Sequence, residues 1–398
     1  MSGRSGLDAS RIREIQRVLR EQDLDGWLFF DHHQRDPLSY RILRFEPGRQ
    51  VTRRWYYLMP SDGDALGLVH VIERSMLDDL PGPKSIYSSW NSQIEGLQKM
   101  LAGRRRVAMQ YSPNCAIPYV SMVDGGTVEL VRSLGVEVVS SADLVQHFEA
   151  RWSQESLEAH LEAGRRVDEI RRRAFRLVSE RLEAGAFVDE WAVNRFILDA
   201  FESTGLATDH GPIVAVNENA ANPHYEPTEE VRRPIRRGDV LLIDLWAKLR
   251  QPGSVYYDIT WTAYCGAPPP GEVLQVFEIV REARDRAVQR VMDAVRTGEP
   301  LRGFQVDDVA RRYIEQRGYG QYFPHRTGHS IGEDVHGGGA NMDNLETHDE
   351  RRIIPWTCFS IEPGIYLKDF GVRSEVNVFV GEQEARVTGE IQERLLLI

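Results

Sequence analysis

The chain has 398 residues, 41% hydrophobic and 27% charged, enough for more than one core because single cores stop growing near ~250 residues. Its formal net charge of −11 offers no global positive field to a phosphate backbone or an anionic membrane, so neither nucleic acid nor membrane is an expected partner. Three cysteines, Cys115, Cys265 and Cys358, are too few for a disulfide framework and fit a reducing cytoplasm; residues 1–10 lack an apolar run, and no run of ~18 apolar residues exists to serve as a membrane span.

Ile12, Ile15, Val18 and Leu19 recur at helical spacing over residues 10–24, and the apolar run 26–30 that follows has the length of a buried strand. Strand patterns at 55–59, 66–72, 106–110 and 136–139 alternate with helical ones near 93–101 and 126–134, which predicts a small α/β domain. Between its first strands, residues 31–41 read as a polar loop. A domain boundary is expected at the polar stretch around 151–155, dividing the chain into 1–153 and 154–398.

The second domain opens on a long amphipathic helix with Ala163, Val167, Ile170, Ala174, Leu177 and Val178 on one face, capped by Ser153 or Ser156 and ended by Gly185. The basic stretch 165–176 inside it carries Asp168 and Glu169 and reads as a solvated face. A second helix is predicted over 189–202, then strands at 213–216, 240–245, 256–264, 358–361 and 372–380, interrupted by helices at 272–295 and 304–317. The expected result is an α+β arrangement, an antiparallel sheet covered by helices.

Asp244 follows an apolar strand run and Asp258 falls near the start of the next, so two carboxylates face each other across a predicted hairpin. Taken alone, both are better read as turn or capping residues. His325, His329 and His336 lie within a glycine-rich segment, where backbone can approach a site closely, and the choice there between structural histidines and a metal or catalytic site stands open. Glu362 and Glu375 sit in strand patterns that disfavour glutamate, with surface exposure the plain alternative for each. Charge decides more: Asp244, Asp258, Glu362 and Glu375 would repel one another if they converged, and two divalent cations would neutralise them, with His329 completing the set. Such a mostly oxygen set favours Mn(II), with Co(II), Zn(II) or Fe(II) as alternatives.

These segments, in this order, resemble the pita-bread metallopeptidases: aminopeptidase P, prolidase and methionine aminopeptidase, with creatinase as a metal-free relative. The resemblance covers residues 156–398, and NPHYEPT supplies His224 where the family has a histidine ahead of the first aspartate. Residues 1–153 resemble the α/β N-terminal domain of the creatinase, prolidase and aminopeptidase P branch. The resemblance implies a curved antiparallel sheet covered by helices, a homodimer and a small peptide substrate. It also implies two metal ions held by Asp244, Asp258, His329, Glu362 and Glu375, with Asp258 and Glu375 bridging, and hydrolysis of the bond before proline by a hydroxide between the ions. Within that picture Glu362 shuttles the proton, and His224 and His336 act on the substrate carbonyl. His325 lines the proline pocket, and Arg373 grips a carboxylate or only holds Glu375.

The chain departs from the family's pattern at Trp246 and Leu249, where glycine and tyrosine are common, at Trp261 for an arginine, and at Gly337 for an acid. Tyr256 or Tyr257 is a candidate substitute for the missing tyrosine. The residues 31–41 contain His33, Asp36 and Arg41, which would shape the partner's substrate entrance if this loop crosses a dimer. A cytoplasmic Xaa-Pro dipeptidase is the leading expectation. The alternatives are an aminopeptidase P acting on longer peptides, a metal-dependent lyase or small-molecule hydrolase on the same fold, and a catalytically silent interaction module.

Overall fold

The computed structural model describes residues 7–45 and 50–398; the first six residues, on which the expectation about a leader segment partly rests, lie outside them. The chain divides into two compact units, Met1–Glu149 and Ala150–Ile398. No helix among the described residues is long and apolar enough to cross a membrane.

In the first unit, Asp8 caps α1 (Ala9–Glu21) by accepting from the Arg11 N–H, and Ile15, Val18 and Leu19 form its buried stripe. Strands β1 (Gly26–Asp31), β2 (Trp55–Pro60), β3 (Leu66–His70), β4 (Lys84–Tyr87), β5 (Arg106–Met109) and β6 (Glu137–Ser140) form one mixed sheet in the order β4-β3-β2-β1-β5-β6. Both faces of β1 are buried: Trp27 and Phe29 pack in the core that contains α1, and Leu28 and Phe30 in the core on the other side. That second core takes Leu97 and Leu101 from α3 (Trp90–Leu101) and Val128 and Val131 from α4 (Gly125–Ser133). α5 (Ala142–Val145) closes the first one with Leu144 and Val145.

The predicted loop 31–41 is only partly a loop, because α2 (Pro37–Leu43) forms there. Asp36 is its N-cap, accepting from the Ser39 N–H at 3.1 Å, and Pro37 takes the first helical turn, where its missing donor costs nothing. Its carboxyl is therefore engaged inside its own unit. β4 was not expected; two of its four residues are exposed, so it lacks the apolar run that marks a strand.

The second unit begins with α6 (Gln154–Glu183), capped by Ser153, and α7 (Glu190–Ser203), capped by Asp189. These lie on a sheet of β7 (Leu206–Ala207), β8 (Ile213–Val216), β9 (Val240–Leu249), β10 (Tyr257–Tyr264) and the terminal β17 (Leu396–Leu397). Val167, Ile170, Ile197 and Phe201 pack there on Leu241, Ile243 and Leu245. α8 (Gly271–Thr297) and α9 (Gly303–Gln316) pack in the same way on a second sheet of β11 (Ser330–Ile331), β12 (Thr357–Ile361), β15 (Val376–Val380) and β16 (Ala385–Thr388). A two-stranded ladder, β13 (Gly364–Tyr366) with β14 (Gly371–Arg373), completes the unit.

The α+β class is as expected, but the strands hydrogen-bond as three sheets, and β17 pairs parallel to β10. The single strand expected over 372–380 is broken at Ser374 and Glu375, with β14 and β15 in different sheets. The stretch 165–176 is not wholly a solvated face: Arg171 is buried, its guanidinium 3.4 Å from the Trp261 ring centroid, whereas Arg165, Arg172, Arg173 and Arg176 are exposed.

Candidate metal centre

Alternation along β9 turns Leu241, Ile243 and Leu245 toward α6 and α7 and leaves Asp244 and Trp246 on the opposite face. Asp244 lies mid-strand opposite Thr260, and Asp258 lies opposite Trp246. The two aspartates are thus diagonal neighbours on one face of a ladder, not the directly opposed hairpin residues that the apolar run suggested. Apolar runs end at the first charged residue, and β9 continues through Asp244 to Leu249.

His329 directly precedes β11. Its backbone N–H donates to Ser360 Oγ at 3.0 Å and its carbonyl accepts from the Ser360 N–H at 2.9 Å. Glu362 is the first residue past β12, its N–H donating to the Thr327 carbonyl at 2.7 Å. Glu375 sits in the break between β14 and β15, where its N–H donates to the Thr260 carbonyl at 3.1 Å and Thr260 Oγ1 donates to Glu375 Oε2 at 2.7 Å. Both glutamates therefore lie at strand ends. That is how charged side chains project from a β region without disturbing its packed faces.

Asp258, His329 and Glu375 each offer one atom to a group in which all lie within 4.8 Å of one another. His329 Nε2 stands 3.5 Å from Asp258 Oδ2 and 3.4 Å from Glu362 Oε1. Its Nδ1 faces the Ser330 carbonyl at 3.2 Å, which assigns the proton there and leaves Nε2 a lone pair toward the carboxylates. Asp244 is held by Arg373, which also donates to Thr260 Oγ1 and to the Tyr366 hydroxyl.

Asp244 Oδ1, Asp258 Oδ1 and Glu375 Oε1 are buried with no hydrogen-bond partner. Burial and the neighbouring carboxylates push the Asp258 and Glu375 carboxyls well above the usual range. Burial pushes Glu362 up to about 7 against the pull of Arg373, and drives the His329 imidazole well below its ordinary value. Buried carboxylate oxygens that repel one another and lack donors are what a cation satisfies, and the neutral imidazole is in its ligating form, so these residues fit divalent metal.

The other predicted residues surround this group. His336 stands edge-on to His329, with ring centroids 4.3 Å apart, and burial lowers its pKa to about 4. His224 is exposed and is an electrostatic neighbour of both Asp244 and His336. His325 places Nδ1 at 2.7 Å from the Arg326 carbonyl and Nε2 at 2.7 Å from the Tyr366 hydroxyl, so both nitrogens are engaged on the Arg373 side. Tyr257 does not face the centre; its hydroxyl donates to Asp168 beneath α6. Tyr256 instead meets Asp209.

Thr260, Tyr366 and Asn377, which accepts from the Asp258 N–H at 3.2 Å, were not found from sequence. Only Thr260 left a trace there, as the third residue of Asp-Ile-Thr; the other two are set by which strands meet.

Residues 158–382, which contain all five proposed ligands, match the model of metallopeptidase family M24. The Xaa-Pro dipeptidase of Pyrococcus furiosus is 32% identical over 185 residues, 46% of this chain and 48% of that protein. The chain spans about half the length of the curated relatives it matches. Among solved structures, the prolidase of Thermococcus sibiricus superposes with a TM-score of 0.67 at 25% identity, covering 98% of this chain and 100% of that one. The dipeptidase PepE of Mycobacterium ulcerans gives 0.72 at 24% identity, over 98% and 97%. Such a likeness speaks for the fold, and the family match reaches over more than half of the chain and across every acidic residue of the centre. The chain belongs to metallopeptidase family M24.

Proposed function

We propose that this chain is a metalloexopeptidase that hydrolyses the peptide bond before proline, foremost in Xaa-Pro dipeptides. Two divalent ions would be held by Asp244, Asp258, His329, Glu362 and Glu375. The observation that carries this reading is the meeting of Asp258, His329 and Glu375 around buried, donorless carboxylate oxygens. The family match supports it, as do relatives named Xaa-Pro dipeptidase in Pyrococcus furiosus and Lactobacillus helveticus. Mn(II) suits the mostly oxygen ligand set. The unit Met1–Glu149 is read as the creatinase-like N-terminal domain, and the working assembly as a cytoplasmic homodimer.

Bound there, the ions would supply Lewis acidity, acidifying a water and polarising the scissile carbonyl. The chain's own groups do the rest. Glu362 takes a proton on one carboxylate oxygen and returns it to the leaving nitrogen. His336, neutral because burial lowers its pKa to about 4, donates one N–H toward the carbonyl oxygen where negative charge develops, with His224 beside it. Arg373 fixes Asp244 and Thr260, and its charge would meet a substrate carboxylate that reaches this side. His325, with both nitrogens engaged, offers its ring face to proline.

The test is hydrolysis of an Xaa-Pro dipeptide panel by metal-stripped protein with Mn(II), Co(II) or Zn(II) restored. Metal-dependent cleavage is expected, reduced about 10²- to 10⁴-fold in Glu362→Gln, the range for losing one acid–base group. Ala-Pro against Ala-Pro-Ala separates a dipeptidase from an aminopeptidase. Silence across the panel by protein that has bound two metals per chain would overturn the peptidase reading.

A further inference from the structure

Trp246 stands two residues beyond Asp244 on the same face of β9 and is the direct cross-strand partner of Asp258. A large indole therefore borders both proposed aspartate ligands. It packs in two clusters at once, with Tyr256 and Val335 on one side and with Ile213 and Tyr225 on the other. Its Nε1–H donates to Asp209 Oδ1 at 2.9 Å, and the His210 backbone N–H donates to the same oxygen at 3.0 Å. The Tyr256 hydroxyl, two residues before Asp258, also meets this carboxylate.

Asp209 is exposed, yet its charge acts inward on Asp258 and His336. Asp334 acts on Tyr256 and His336 with the same sign. Lys248 also lies on this side, its ammonium 4.9 Å from the Tyr256 ring centroid and donating to the Glu333 carbonyl, and Arg326 acts on His336 with positive charge. The rim of the centre thus consists of a carboxylate fixed between an indole N–H and a phenol, beside an aromatic wall that already carries an aliphatic ammonium on its face.

Two divalent ions and Arg373 balance Asp209 and the four proposed acidic ligands in number, but the ions would sit among the ligands and Arg373 is bound to Asp244, so among the described residues Asp209 is held by N–H groups and has no ion pair of its own. A substrate can bring a cation in two places. Its α-ammonium lies two bonds from the scissile carbonyl carbon and stays among the ligands. A lysine or arginine head extends on a long apolar stem, which suits an aromatic wall ending in an exposed carboxylate.

We propose that Asp209, positioned by Trp246 and Tyr256, selects substrates with lysine or arginine before the scissile bond. This rests on the peptidase reading and adds to it the residue preferred before proline. Arginine gains further from stacking its planar head on the indole.

The experiment compares kcat/KM for Lys-Pro, Leu-Pro and Glu-Pro in metal-loaded wild type, Asp209→Asn and Trp246→Phe, with calorimetric binding of the same dipeptides to the Glu362→Gln protein with and without Asp209→Asn. The expected order is Lys-Pro, then Leu-Pro, then Glu-Pro. The Lys-Pro to Leu-Pro ratio should fall about fivefold in Asp209→Asn, the effect of one exposed ion pair, and mainly through KM. Trp246→Phe keeps the wall but removes the N–H, so the ratio should fall by less. A ratio unchanged in both variants overturns the proposal. If no dipeptide is cleaved but Lys-Pro binds more tightly in an Asp209-dependent way, the peptidase reading fails and the cationic subsite stands; binding without discrimination sinks the subsite.

Discussion

Asp258 is the residue on which the charge balance of the centre turns. The residue is 5% exposed, one carboxylate oxygen has no partner, and Asp244 and Glu362 both act on it with like charge. Without metal, such a carboxylate is a liability that folding must carry, because desolvation and repulsion outweigh the attraction of Arg373. Asp258→Asn removes the charge and keeps the shape. Metal-free Asp258→Asn should therefore be more stable than metal-free wild type by about 1–3 kcal/mol, the scale of an uncompensated buried charge. With Mn(II) the order should reverse, since the wild type gains stability by binding and the variant has lost a shared ligand. Thermal melts of both proteins with and without chelator measure this. A variant less stable in both states would mean that Asp258 is satisfied without a cation. The proposed acidic ligands stood out in sequence only as a set, through their summed charge and the family resemblance, because each alone reads as a turn, capping or exposed residue; Asp209 belongs to no such set, and an exposed acid in a loop conflicts with nothing.

At the scale of elements, the centre depends on close approaches that only small residues permit. A Cβ on Gly328 would lie 1.9 Å from the Ser360 carbonyl oxygen, and this is where the chain enters β11 and sets His329 against β12. Both His329 hydrogen bonds to Ser360 depend on that approach. Gly328→Ala must therefore move one backbone away from the other. We expect about 2–4 kcal/mol of lost stability, as for overpacking against an unyielding neighbour, and weaker metal binding because His329 moves with it. Denaturant midpoints and a metal titration check the pair; an alanine variant with wild-type metal affinity would show that β11 can shift without carrying His329. The sequence marked this segment by its glycines, although which glycine mattered depended on a strand thirty residues away. The break at Ser374 and Glu375 was hidden for a similar reason. Val372 to Val380 reads as one run, and only pairing of its two ends to different sheets separates them.

Across the whole molecule, what was legible followed local periodicity. α1, α6, α7, α8 and α9 have amphipathic stripes and β1, β2 and β9 apolar runs, so the order of these longer elements and the α+β class of the second unit came from the chain alone, whereas short strands such as β7, β11, β13 and β16 did not. The three-sheet division and the parallel β17 did not, since partner choice between strands is nonlocal. His160 shows how such long-range closure sets stability against pH. It lies on α6, wholly buried, with Nδ1 at 2.7 Å from the Tyr256 carbonyl and Nε2 at 2.7 Å from Thr388 Oγ1, joining α6 to the start of β10 and the end of β16. Burial lowers its pKa to about 4, while an unfolded histidine titrates near ~6.5. The unfolded chain therefore binds the proton first as pH falls. His160's stabilisation is fully present above ~6.5, declines below it, and is lost as pH passes through about 4. By pH ~5 the loss from this one group amounts to about 2 kcal/mol. His160→Gln should be less stable near pH ~7.5, having lost one of two fixed hydrogen bonds, but its stability should fall by about 2 kcal/mol less on acidification. His325 and His336 titrate in both proteins and cancel from the comparison. Urea midpoints at the two pH values decide it, and equal acid losses in wild type and variant would place the acid sensitivity elsewhere in the chain.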